Sequence, residues 1–236
     1  MSAILLDSSA ATHPGAVRTR NEDNLVDRPD LGLWAVADGA GGHGAGDVAS
    51  TAIAESLSAI PPGLTAAEML AQVRLRLAGV HAELQAKAEE RGTGGVIAST
   101  IVVLLARGEY FAALWAGDSR IYLMRDGQLL RLTRDHSLVQ ELVDAGEIDA
   151  ADAESHPRAN VITRAVGAGG ELVLDKVADR IQPGDRYMLC SDGVFKELPE
   201  TRIATLLAQG AKAGDLVRLA VEAGARDNVS VVVIET

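Results

Sequence analysis

Residues 47–84, DVASTAIAESLSAIPPGLTAAEMLAQVRLRLAGVHAEL, hold two helical patterns in succession with no strand between them. In the first, Asp47–Ile60, the residues Val48, Ala52, Ile53, Leu57 and Ile60 recur at helical spacing, and Pro61-Pro62-Gly63 stops the pattern. The second opens on Thr65-Ala66-Ala67-Glu68, a capping box, and runs on through Met69, Leu70, Val73, Leu77, Val80 and Leu84. Short apolar runs, β-branched or aromatic and bounded by Gly, Asp or Pro, surround this pair. They predict strands at Ala3–Leu6, Leu31–Ala37, Ile97–Leu105, Tyr110–Ala116, Arg186–Cys190 and Val229–Ile234. Ile121–Met124 and Leu129–Leu132 flank Arg125-Asp126-Gly127-Gln128, whose Asp-Gly suits the tight primed turn of a hairpin. Shorter helices are expected at Leu138–Ala145, Glu200–Ala208 and Asp215–Ala223. Strands and helices that do not alternate one for one argue for an α+β layered sandwich over a doubly wound parallel sheet.

The chain has 236 residues, enough to bury a sizeable core, and 47% of them are hydrophobic, which excludes a disordered chain. Twenty-two basic residues against 33 acidic ones leave a formal charge of −11, which argues against nucleic acid or an anionic membrane as partner. Any phosphorylated substrate must then be screened by cations at the site itself. The single Cys190 allows neither an internal disulfide nor a C-x-x-C zinc spacing, as suits a reducing cytoplasm. Met1–Leu6 has neither a basic n-region nor an apolar h-region, so no secretory signal is expected. The longest apolar stretch, around Ile97–Ala106, is broken by Ser99 and Thr100 and falls far short of the roughly 20 residues of a membrane span.

The chemistry lies in where the acids stand. Asp38 ends the run Leu33–Ala37 and is followed by Gly39; Asp118 follows Phe111–Gly117. Asp192 follows Tyr187–Ser191 and precedes Gly193; Asp227 stands just before Asn228 and the run Val229–Ile234. Glu22-Asp23 sit ahead of Leu25. A single acid in such a place is an ordinary turn or cap residue. Four at strand ends, next to glycines that let the backbone approach a ligand, are a different matter. If they converge, their mutual repulsion demands bound cations, and an all-oxygen ligand set selects Mg²⁺ or Mn²⁺ over Zn²⁺ or Cu²⁺.

These segments carry a family resemblance. Gly15-Ala16-Val17-Arg18-Thr19-Arg20-Asn21-Glu22-Asp23-Asn24 resembles the opening motif of PP2C-type (PPM) metal-dependent protein Ser/Thr phosphatases, and Val36-Ala37-Asp38-Gly39-Ala40-Gly41-Gly42-His43 resembles their second. Ala116-Gly117-Asp118-Ser119-Arg120, Cys190-Ser191-Asp192-Gly193 and Ala225-Arg226-Asp227-Asn228-Val229-Ser230 are similar to three more, in the same order. Asn160-Val161-Ile162-Thr163-Arg164-Ala165-Val166-Gly167 resembles a bacterial-type motif, and the match runs from about residue 10 to the C-terminus.

The resemblance implies a four-layer α-β-β-α sandwich, a central β-sandwich flanked by helices, over residues 1–236 as one phosphatase domain with a flap at about 133–167. It implies a two-metal centre of Mn²⁺ or Mg²⁺ at one end, with Asp38 bridging the ions and the Gly39 carbonyl binding one of them. Asp192 and Asp227 would hold the other, Glu22 and Asp23 would act directly or through waters, and Asp118 with Asp192 would take a third, weaker ion. Arg18 would grip the substrate phosphate, since a guanidinium fork matches phosphate oxygens as a lysine cannot. Asp38 and Arg18 are thus the expected catalytic residues. Phosphorylated proteins are the implied substrates, with a bacterial Ser/Thr kinase as the opposing enzyme and a cytoplasmic monomer as the working form. A pseudophosphatase that senses phosphoproteins without turnover is the alternative, and the intact Asp38, Asp192 and Asp227 argue against it.

Other signals are weaker. Gly39–Gly44 satisfies G-x-G-x-x-G, but a dinucleotide site needs a strand after the next helix, and Pro61-Pro62-Gly63 leads to another helix instead. A cysteine phosphatase typically has Arg six positions after its nucleophile; here Lys196 follows Cys190 at that spacing. The histidines His13, His43, His81, His136 and His156 include no H-x-x-x-H pair for zinc. Ala40 stands where eukaryotic-type members carry a proton-donating His, which leaves a metal-bound water or His43 for that role.

Overall fold

The computed structural model describes residues 6–41, 45–92 and 95–236. In chain order the strands are β1 (Asp7–His13), β2 (Asp23–Arg28), β3 (Leu33–Ala40), β4 (Ala98–Ser99), β5 (Ile101–Arg107), β6 (Tyr110–Ala116), β7 (Arg120–Arg125), β8 (Gln128–Arg131), β9 (Asp175–Arg180), β10 (Arg186–Cys190) and β11 (Val229–Glu235). The α-helices are α1 (Ala45–Ser58) and α2 (Ala66–Arg91) between β3 and β4, and α3 (Leu138–Asp144) between β8 and β9. Between β10 and β11 lie α4 (Asp192–Phe195), α5 (Glu200–Ala208) and α6 (Ala213–Glu222). One antiparallel sheet has the order β1-β11-β10-β7-β8; the other runs β2-β3-β5-β6-β9, with β4 paired to β3.

Alternation along the central strands builds four layers. Val102 and Leu104 of β5 face the other sheet and meet Trp34, Trp115, Tyr187 and Val232. Their neighbours Ile101, Val103 and Leu105 face α1 and α2, against Ile53, Leu57, Val73 and Leu77. On the other sheet, Met188, Cys190, Val231 and Val233 pack under α4–α6, against Ile203, Leu207, Leu216 and Ala220. A strand buried on both faces has no polar alternate, which is why these segments read as continuous apolar runs. The fold is the α+β sandwich expected from the two successive helices.

Local signals hold at the boundaries. Thr65 Oγ1 accepts from the Glu68 amide while Glu68 Oε2 accepts from the Thr65 amide at 2.8 Å, so the capping box forms. Asp126 (φ 50°) and Gly127 (φ 77°) make the primed turn, with Arg125 opposite Gln128. The expected strand over Ile97–Leu105 is broken at Thr100, whose amide leaves the ladder to bond the Asp38 carbonyl at 2.8 Å. The expected strand Ala3–Leu6 lies outside the described residues over Ala3–Leu5, and the first strand begins one residue after Leu6. Among the described residues no helix is long and apolar enough to cross a membrane.

Candidate active site

One end of the sandwich collects the acids. β2 and β3 pair so that Asp23 lies opposite Asp38, the last acid before Gly39. Gly39 is required by a close approach: a Cβ there would stand 2.3 Å from the Gly46 carbonyl oxygen and 2.5 Å from that of Glu22. Its amide donates to the Glu22 carbonyl at 3.1 Å, which locks the start of β2 to the end of β3. The Asp38 carbonyl accepts from the Thr100 amide and from Ser99 Oγ at 2.9 Å, so the break in the apolar run wraps the Asp38 backbone.

Asp118 lies in the turn from β6 to β7, Asp192 opens α4 directly after β10, and Asp227 precedes β11. Asn228 ties the opening loop to this end. Its side chain donates to the carbonyls of Pro14 (3.0 Å) and Arg20 (2.9 Å) and accepts from the Glu22 amide (2.8 Å). The resulting cavity is about 510 Å³, and Arg18, Glu22, Asp38, Gly39, Asp118, Asp192 and Asp227 all line it. Asp23 is buried behind them. Ser191 Oγ donates to its Oδ2 at 2.8 Å, while its Oδ1 has no hydrogen-bond partner.

The electrostatics follow from that crowding. Burial, then repulsion from Asp192 and Asp227, pushes Asp23 up to about 7. Burial, then Asp192 and Asp135, pushes Asp118 up to about 7 as well. Asp38 is driven well above the carboxylate range by burial and by the charges of Asp23, Asp192, Asp118 and Asp227. Two cations answer part of this. Arg18 Nη2 stands 2.9 Å from Asp227 Oδ2, and the hydrogen bond raises the guanidinium's already high pKa. Lys196 Nζ is paired with Asp192 Oδ2 and donates to Asn160 Oδ1 at 2.9 Å. Among the described residues no three acids close on one point, with Asp192 turned to Lys196 and Asp227 to Arg18.

Every expected site residue is therefore at this one end, including Glu22 and the buried Asp23. Asn228 as the anchor of the loop, and Lys196 as a partner of Asp192, have no signal in the local sequence. Cys190 is buried in the layer under α4–α6, and burial pushes its thiol far up, so it is no nucleophile. His43 lies outside the described residues. Ala40 lines the cavity and supplies no proton.

A family model for protein phosphatase 2C matches residues 16–219. The chain belongs to the protein phosphatase 2C family. Among curated relatives it is 35% identical to the serine/threonine protein phosphatase PstP of Mycobacterium tuberculosis, over 98% of this chain and 45% of that protein, so it spans about half that relative's length. It is 36% identical to the serine/threonine phosphatase Stp of Listeria monocytogenes, over 95% of this chain and 93% of the relative. Two solved structures superpose on it over nearly their whole length. PppA, a regulatory component of the T6SS in Pseudomonas aeruginosa, has a TM-score of 0.90 and 40% identity, covering 99% and 98% of the two chains. The catalytic domain of PstP in complex with two manganese ions has a TM-score of 0.80 and 34% identity, covering 98% and 97%.

Proposed function

We propose that the chain is a metal-dependent protein Ser/Thr phosphatase that hydrolyses phosphoserine and phosphothreonine on proteins, opposing a bacterial Ser/Thr kinase in the cytoplasm. The observation that carries this reading is the gathering of Glu22, Asp23, Asp38, Asp118, Asp192 and Asp227, from five separate stretches of chain, at one end of the sandwich. The donor set fits hard divalent ions, being all oxygen, crowded with like charge, and holding one buried carboxylate oxygen without a partner. Asp38 would bridge two Mn²⁺ or Mg²⁺ ions, with the Gly39 carbonyl on one and Asp192 and Asp227 on the other. Glu22 and Asp23 would bind directly or through waters, and Asp118 with Asp192 would flank a third position. When bound, such ions supply a hydroxide nucleophile near neutral pH and screen the charge of in-line displacement.

The chain's own groups do the rest. Arg18, at the rim and 58% exposed, is free to trade Asp227 for the substrate phosphate and to neutralise its oxygens as the P–O bond to the Ser or Thr oxygen breaks. Residues 133–167 form a flap whose Asn160 and Ile162 border the cavity and meet the protein substrate.

The test is hydrolysis of p-nitrophenyl phosphate and of phosphoSer and phosphoThr peptides. Activity that needs Mn²⁺ or Mg²⁺, is abolished by EDTA and ignores thiol alkylation supports the reading. Phosphopeptide binding without turnover at any metal concentration would instead make the chain a phosphoprotein sensor.

A further inference from the structure

β10 delivers Asp192 to the start of α4, and Lys196 follows four residues later, where the two side chains meet on one face. The Lys196 ammonium is held at two points: by Asp192 and, from the segment after α3, by Asn160 Oδ1 at 2.9 Å. It lines the same cavity as Asp118. Its charge eases the burden on Asp118, acting against the repulsion from Asp192 and Asp135. Among the described residues, the two cations that pair with the cavity's acids are divided, with Arg18 on Asp227 and Lys196 on the Asp118–Asp192 side.

Arg18 sits on the exposed rim, whereas Lys196 is only 36% exposed and is fixed by a neutral side chain as well as a carboxylate. A cation so tethered competes for the space and the oxygen atoms that a free ion between Asp118 and Asp192 would need.

Resting on the metal-centre reading above, we infer that the Lys196 ammonium is a built-in monovalent cation occupying the Asp118–Asp192 side of the cavity, so that a divalent ion binds between those two acids only by displacing it. The chain is then tuned to two tightly held ions, with the third position suppressed by its own side chain.

The experiment is a calorimetric titration of Mn²⁺ into the EDTA-stripped full chain, with bound metal counted by mass spectrometry. Lys196→Met, or Lys196→Gln if the first does not fold, gains a Mn²⁺ site absent from wild type or tightens the weakest site by about ten-fold or more, since one opposing charge at contact distance has gone. Adding Asp118→Asn to that variant removes the gain, and Lys196→Arg, which keeps the cation, binds like wild type. An unchanged count with less than ten-fold tightening overturns the role of Lys196 and leaves the metal centre intact. A wild-type chain that binds no Mn²⁺ overturns the metal-centre reading itself.

Discussion

Two buried aspartates near the two ends of strand β10, Asp185 just before it and Asp23 of β2 against Ser191 just after it, have opposite electrostatics. Just before it, Asp185 is 1% exposed and accepts from Arg125 Nε (2.8 Å) and Nη2 (2.7 Å), the Gln182 amide (2.8 Å) and the Tyr187 hydroxyl (2.9 Å). Burial alone would raise its pKa, but Arg125 and the other donors hold it below the usual carboxylate range. Beyond its other end, Asp23 is 5% exposed, has Ser191 on one oxygen and nothing on the other, and is pushed up to about 7. The far end of the sandwich completes its acids from within, for Arg186 and Lys212 likewise pair with Glu235. The cavity end leaves its acids short of positive charge. A buried carboxylate thus marks a site for an external cation only where the fold withholds the internal one.

The largest effect that would sharpen this contrast is catalytic. Asp38→Asn should lower Mn²⁺-dependent turnover of p-nitrophenyl phosphate by about 10³-fold or more, because the missing charge organises the whole centre. The melting temperature of the metal-free variant should stay level or rise, since a repelling charge has gone. Retained turnover would break the assignment.

At the opposite end the consequence should be structural. Arg125→Ala strands Asp185 in the interior and should cost about 3–5 kcal/mol in urea unfolding, while Mn²⁺ affinity of the folded variant stays as in wild type. A shift in metal affinity with little loss of stability would erase the distinction between the two ends.

The pH response comes next. Asp23 and Asp118 titrate near 7 when folded without metal, above the ordinary carboxylate value near 3.8. A folded pKa above the unfolded one gives stability that is complete at low pH and lost as pH rises through the folded value. The EDTA-treated chain should therefore melt progressively lower as pH rises from about 4 to 7 and level off above about 8, by about 5–10 °C for a loss of a few kcal/mol. Saturating Mn²⁺ should flatten the curve, as an ion replaces the missing positive charge. A flat profile for the metal-free chain would mean that these acids already have partners.

Arg18→Ala is the mildest change. Its guanidinium is mostly exposed, so KM for phosphopeptides should rise by about ten-fold while Mn²⁺ affinity moves less. Unchanged peptide kinetics would remove it from the phosphate site.

The sequence showed the buried strands plainly and hid the edges. β5, β6, β10 and β11 are apolar on both faces, whereas β1 (DSSAATH), β2 (DNLVDR) and β9 (DKVADR) each close one side of a sheet and carry polar residues there. Edge strands pair on one side only, and the charges that keep them from aggregating also erase the apolar run that would announce them. The acids of the site were legible because each stands beside a run ending in a sheet. Lys196 and Asn160 were not, since they act through a contact 36 residues apart that no local pattern records. Asn228 stood in plain view next to Asp227, yet its three bonds reach across the whole chain to residues 14–22.

Anomalous diffraction at the manganese edge, from crystals soaked in Mn²⁺, addresses the withheld cation most directly. Two strong peaks are expected within about 2–2.5 Å of carboxylate oxygens, with Asp38 shared between them, and none around Asp185. An empty cavity, or peaks of equal strength at the Asp185 end, would contradict that expectation.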